Sequence, residues 1–112
     1  RVRGQMMEKK ILLTTGDNYT AEKKLKIEGT LKSIILKSET SMDIEITSEM
    51  GYTIYKQFGH TGTIYFPLKI IARNNNAEKI KDQYEEFVLN EDITVHIKGG
   101  RNSAILIILR II

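Results

Sequence analysis

The chain has no cysteine, no tryptophan and a single proline in 112 residues. Without cysteine there can be no disulfide, no thiolate nucleophile and no Cys-based zinc site. One proline excludes a proline-rich linker. Long apolar runs are also missing. The longest, Ala104-Ile105-Leu106-Ile107-Ile108-Leu109, ends at Arg110 and falls far short of the roughly 18 residues that cross a bilayer as a helix. No secretory leader is expected at the start. Residues Arg1-Val2-Arg3-Gly4-Gln5 precede Met6-Met7, and the expected natural start is Met6 or Met7.

Charge of one sign is scarce as well. Lys and Arg number 17 against 14 Asp and Glu, for a net charge of +3. The signs are interleaved, as in Glu8-Lys9-Lys10 and Glu22-Lys23-Lys24, where a polyanion binder would concentrate a basic stripe. Catalytic signatures are absent. No H-x-H, H-x-x-E or H-E-x-x-H spacing joins His60 and His96 to a metal-ligand set, so both are expected on the surface. No G-x-S-x-G elbow, Walker loop or G-x-G-x-x-G occurs. Gly59-His60-Thr61-Gly62 lacks the Lys-Ser/Thr of a phosphate loop and reads as an ordinary loop. Asp43 and Glu45 lie two apart on one strand face, which gives a solvated outer face rather than an acid/base pair across a cleft. Glu85-Glu86 and Glu91-Asp92 read as loop or strand-end charges. Asp17, Asn18, Glu91 and Asp92 could offer oxygens to calcium, but not at EF-hand spacing. No catalytic residue, cofactor, metal or small-molecule substrate is therefore expected.

What the chain does have is alternation. Met42-Asp43-Ile44-Glu45-Ile46-Thr47 and Ile93-Thr94-Val95-His96-Ile97-Lys98 place apolar side chains at every second position, as a half-buried strand requires. Strands are predicted over Lys9–Thr15, Lys24–Lys37, Met42–Thr47, Tyr52–Tyr55, Thr63–Ala72, Glu86–Leu89, Ile93–Lys98 and Ser103–Ile111. The apolar phase changes across Ile34-Ile35-Leu36, which predicts a bulge or bend near Gly29 or Ser33. Gly16-Asp17-Asn18, Ser38–Ser41 and Asn90-Glu91-Asp92 read as turns or breaks between strands, and Arg73-Asn74-Asn75-Asn76 as a polar loop. Glu49-Met50-Gly51 and Gly99-Gly100-Arg101-Asn102 read as hairpin turns. Pro67 marks an edge, bulge or break. Ile80 and Tyr84 are four apart and predict one or two helical turns over Glu78–Tyr84.

Evenly spaced strands without a crossover helix predict an all-β fold. The expected form is an antiparallel β-sandwich, jelly-roll-like or barrel-like, of seven to eight short strands with at most one short helix. Residues 1–8 are expected to be a flexible N-terminal segment and 9–112 a single domain. Tyr52 and Phe66 align with core positions. Lys56, Lys69 and Arg73 lie near the mid-chain aromatics, an arrangement that could stack bases. The last strand is apolar on both faces. It is either a covered central strand or a subunit interface formed by Ile105, Leu106, Ile107, Ile108 and Leu109.

The order of segments carries a resemblance. Gly29-Thr30-Leu31 is followed by Asp43-Ile44-Glu45-Ile46-Thr47-Ser48-Glu49-Met50-Gly51. Next come Tyr65-Phe66-Pro67-Leu68-Lys69, then Leu89-Asn90-Glu91-Asp92-Ile93-Thr94-Val95-His96-Ile97. Over residues 25–111 this resembles small virion structural proteins of tailed bacteriophages. The resemblance implies a β-sandwich accessory component of the particle, most simply a capsid decoration protein, with a neck or tail piece as the alternative. It implies the major capsid protein or other virion subunits as partners, self-association, and a place in the virion after assembly in the host cytoplasm. No membrane partner is implied. A nucleic-acid-binding small β-barrel is the reading from a different class.

Overall fold

A computed structural model describes residues 6–68, 70–73, 79–85 and 87–112. Seven strands follow one another: β1 (Met7–Thr14), β2 (Thr20–Ser48), β3 (Thr53–Pro67), β4 (Ile70–Arg73), β5 (Lys79–Glu85), β6 (Phe87–Gly99) and β7 (Ala104–Ile111). All pairings are antiparallel. Five strands form one continuous sheet, and β4 and β5 form a separate two-stranded ribbon.

The main sheet therefore holds five strands where seven or eight short ones were expected. The reason is β2, which runs unbroken for 29 residues. It absorbs the predicted strands Lys24–Lys37 and Met42–Thr47 together with the turn expected over Ser38–Ser41. Strand β3 likewise runs through the predicted Gly59–Gly62 loop, and β6 runs through Asn90-Glu91-Asp92. Polar residues in these stretches do not break the strands, because the backbone stays paired to a neighbour across or beside each bend. The helix expected over Glu78–Tyr84 is also overturned. Lys79–Glu85 pairs with β4, and an isolated two-turn helix has too few hydrogen bonds to offset its nucleation cost. The first strand starts at Met7, two residues earlier than Lys9. Residues 1–5, 69, 74–78 and 86 lie outside the described residues, and with them most of the predicted Arg73–Asn76 loop.

Strand β2 is the spine, and it passes through two limbs of the sheet. In the first limb the order is β1, β7, the middle of β2 (Leu31–Ser38) and the end of β3 (Gly62–Pro67). In the second limb β6 lies between two parts of the same strand: Thr20–Leu31 on one edge and Met42–Ser48 on the other. The start of β3 completes this limb beside Thr47–Met42.

Two local devices let β2 cross from limb to limb. Pairing with β7 moves from Leu31↔Ile111 to Ser33↔Arg110, so β2 advances by two residues while β7 advances by one. That extra residue is a β-bulge. It flips the buried phase from Ile27 and Leu31 to Ile34 and Leu36, which accounts for the phase change seen in the sequence. At the second corner β2 goes from Ser38 to Met42 while β3 moves only from Gly62 to His60. Ser38 Oγ braces this corner by donating to Thr40 O at 2.6 Å. On β3 the corner is lined by Gly59 (φ 62°) and Gly62 (φ 83°), left-handed conformations that glycine adopts without a Cβ clash.

The Glu49-Met50-Gly51 turn closes the β2–β3 hairpin as expected, with Ser48 N–H donating to Tyr52 O at 2.9 Å. The Gly99–Asn102 turn differs from expectation. Strands β6 and β7 do not pair with each other, so this turn carries the chain from one limb to the other. Buried Thr15 ties it down. Its Oγ1 donates to Gly100 O and accepts from Ser103 N–H at 2.9 Å.

A single apolar cluster joins both limbs. It takes Ile11, Leu13, Ile34, Leu36, Ile105, Ile107, Leu109 and Ile111 from the first, and Met42, Ile44, Ile46, Ile93, Val95 and Ile97 from the second. None of its fully buried members is aromatic; Tyr55 and Phe66 pack at its margin with ring centroids 5.0 Å apart. Truncating Ile97, which is 0 % exposed, should cost about 2–5 kcal/mol as Ile97→Ala, read from urea unfolding. Gly99→Ala should cost about 1–3 kcal/mol by the same measurement, since its Cβ would strike Met42 Sδ and press on Ser41 O. Leu12→Ala, on an exposed side chain, should change stability by less than about 0.5 kcal/mol.

Candidate contact surface

The two limbs present opposite kinds of outer face. The strands of the second limb mostly alternate, so most outward positions are polar; Phe58 and Val88 are the large apolar side chains exposed there among the described residues. Cross-strand neighbours there form the row Glu22, His96, Glu45, Lys56 and the row Lys24, Thr94, Thr47, Thr53. Lys56 Nζ lies 3.4 Å from Glu45 and 5.0 Å from the centre of the Phe58 ring. Asp43 accepts the Gly59 N–H at 2.8 Å. These groups edge a shallow open hollow of about 250 Å³ with Phe58, His96 and Lys98.

The first limb breaks the alternation in all four of its strands. Ile11-Leu12-Leu13, Ile34-Ile35-Leu36, Ile64-Tyr65-Phe66 and Ile105–Leu109 are apolar runs. In a strand, such a run sends one or more apolar side chains outward. Pairing brings these together. Lys10, Ile108, Ile35 and Tyr65 form one cross-strand row, and Leu12, Leu106, Lys37 and Thr63 the next. Leu12 is 68 % exposed and Tyr65 54 %, while Ile35, Leu106 and Ile108 are half-buried by their neighbours. Lys10 and Lys37 lie within the patch, and the Arg110–Glu8 pair (3.8 Å) lies at one end. Beside it, Leu12, Leu106 and Ala104 contribute to an open groove of about 450 Å³ reaching Glu39 and Asn102.

The five candidate interface residues therefore divide. Ile105, Ile107 and Leu109 are buried in the core, and β7 is paired on both edges as a central strand. Leu106 and Ile108 reach the outer face. Leu12, Ile35 and Tyr65 complete that face and were not singled out from sequence. Their signal was the apolar run in each strand, which acquires meaning only once the four strands are known to be neighbours.

Of the candidate chemical groups, the structure brings Asp43, Glu45 and His96 together at the polar hollow and leaves the rest dispersed. His60 is buried, contrary to expectation, because it sits at the corner of β3, where its Nε2 lies 2.9 Å from Gly62 O. His96 is half-buried in the polar row. Asp17 meets Arg101 at 3.3 Å and Asp92 meets Lys24 at 3.9 Å. Asn18 Oδ1 accepts the Thr20 N–H at 3.4 Å, and Glu91 accepts the Tyr52 hydroxyl at 2.8 Å. Among the described residues no group of three or more His, Asp or Glu is placed to hold a metal ion. Tyr52, expected in the core, is 46 % exposed beyond the β2–β3 turn, while Phe66 packs on the core margin. Of the three basic residues weighed for base stacking, Lys56 is occupied by Glu45 and Phe58; the side chains of Lys69 and Arg73 lie outside the described residues.

Two tyrosines titrate abnormally. Burial pushes the Tyr55 phenol up to about 12. Burial raises Tyr52 as well, aided by its bond to Glu91.

No protein-family model matches the chain, and no curated protein does. Among solved structures, the fold resembles the pre-peptidase C-terminal domain of collagenase from Bacillus anthracis. The TM-score is 0.53 at 9 % identity, over 92 % of this chain and 87 % of that one. Looser similarities reach the STIV MCP (TM-score 0.45, 10 % identity, 97 % of this chain and 49 % of that one) and the SPBc2 prophage-derived protein YomS (0.41, 10 %, 93 % and 95 %). The first is a likeness of fold alone, and the other two are too loose to bear on function.

A raised folded-state tyrosine pKa means the fold favours the neutral phenol. That stabilisation is complete below pH 10.0 and is lost as pH rises toward about 12. The urea midpoint should therefore fall through this window, and Tyr55→Phe should flatten the fall. An equal slope in the two proteins would remove Tyr55 from the account.

Proposed function

We propose that this chain is a non-enzymatic structural protein of a virus particle, a capsid-associated decoration or accessory component. In this reading the folded sheet serves as a rigid two-layered β-sandwich module that acts by burying surface against other virion subunits. The observation that carries it is the apolar outer face of the first limb, beside a second outer face that is largely polar. A soluble monomer gains nothing from an apolar patch that spans four adjacent strands, whereas a subunit contact does. The order of strand motifs from Gly29 to Ile97, which resembles that of tailed-phage virion proteins, supplies the setting.

Repetition suits such a module. A modest contact becomes effective when many copies bind one lattice together. The mixed charges of the polar face pair locally, as in Lys24–Asp92 and Lys56–Glu45, and this favours subunit contacts over a polyanion partner. Particles purified from the phage that carries the gene should contain the chain at high copy number by quantitative mass spectrometry, and a cryo-electron microscopy map should place it on the shell. Its absence from purified particles would end this reading. Density at the neck or tail instead would move the protein within the particle.

A further inference from the structure

We propose that the outer face of the first limb closes on the same face of a second copy of this chain, so that the unit in solution is a two-fold dimer. This inference does not need the virion reading and stands or falls separately from it.

The argument rests on the cross-strand register. The rows run in the order β1, β7, β2, β3, so a two-fold axis parallel to the strands, between β7 and β2, maps β1 onto β3 and β7 onto β2. Facing sheets related in this way pack with strands aligned within about 30°. Each residue then has a defined opposite. Ile35 of one copy meets Ile108 of the other at the centre. Lys10 meets Tyr65, an ammonium over an aromatic face. Leu106 meets Lys37, whose methylene stem can lie along it, and Leu12 meets Thr63. At the end row Glu8 meets Pro67, while Ser33 is already buried within its own chain. No charge faces a like charge, and Ile35, Ile108 and Leu106 lie beside the axis with the stem of Lys37.

Size also fits a second copy. Strands β1 and β7 are 8 residues long. Four strands at about 4.8 Å spacing and about 3.4 Å per residue present roughly 500 Å² per copy. The pair would bury on the order of 1,000 Å² in total, the lower bound for a specific interface. The dimer should therefore be concentration-dependent.

Sedimentation velocity over a wide concentration range should show a monomer converting to a dimer. Ile35→Lys alone and Ile108→Glu alone should each weaken association by about tenfold or more. An equimolar mixture of the two should dimerise again, because the axis places the new lysine over the new glutamate of the other copy. Far-UV circular dichroism and urea midpoints check that both variants fold. Should either fail to fold, a second route uses only exposed positions. The chain has no cysteine of its own, so a Lys10→Cys, Tyr65→Cys double variant should be joined into covalent dimers by a short bismaleimide. A monomer at every concentration overturns the proposal, as do variants that associate like the parent, a mixture that stays monomeric, or the absence of crosslinked dimer. A dimer that never enters particles would remove the virion reading alone. A monomer that enters them would remove this one alone.

Discussion

The fold depends on β2 turning two corners while its hydrogen-bond ladder passes from one neighbour to another. Backbone N–H and C=O groups buried without partners are expensive, so a strand that bends inside a core must keep its neighbours or exchange one for another within a residue or two. β2 does the latter. It leaves β6 at Leu31, takes up β7 from the same residue, and returns to β6 at Met42. The bulge at Lys32–Ser33 and the slack over Glu39-Thr40-Ser41 are the local cost of this exchange. They also make one strand serve both limbs, so the limbs cannot slide past each other and the core between them has one register.

The same constraint explains the crowding at Gly99. Here β6 ends against Met42, where β2 re-enters the second limb, and there is no space for a Cβ. Thr15 pins the far end of the same turn. Residues on which the fold leans most are thus not all large and apolar. A glycine and a threonine at a crossing do work that an isoleucine in the middle of a strand cannot.

Function follows from how the two limbs differ outside. Their inner faces are alike, lined mainly by Ile and Leu. Their outer faces are not. Alternation leaves Glu22, His96, Glu45 and Lys56 to water and to one another, whereas the apolar runs bring Leu12, Ile35, Tyr65, Leu106 and Ile108 to one outer face. His60 sits in a corner, and His96 lies between Glu22 and Glu45 on the polar face, where Glu45 is paired with Lys56.

Sequence alone determined the secondary-structure class. Period-two patterning names the strands, and the doubled phase at Ile34-Ile35-Leu36 already announces the bulge. The Glu49-Met50-Gly51 hairpin was legible too, because a turn of that kind is written in adjacent residues. Where strands end was not legible. Gly59–Gly62 and Asn90–Asp92 carry turn composition yet remain in strands, because pairing to a distant neighbour outweighs local preference, and Ser38–Ser41 is carried through as the slack of a corner between paired stretches. The short Lys79–Glu85 stretch went the same way, its i, i+4 spacing being compatible with either form. Above all, the contact face was written in four separate apolar runs, and any one of them reads as an ordinary buried strand. Only the tertiary structure decided that β1, β7, β2 and β3 lie side by side, since the side-chain rule of a strand says which residues share a face but not which strands share a sheet.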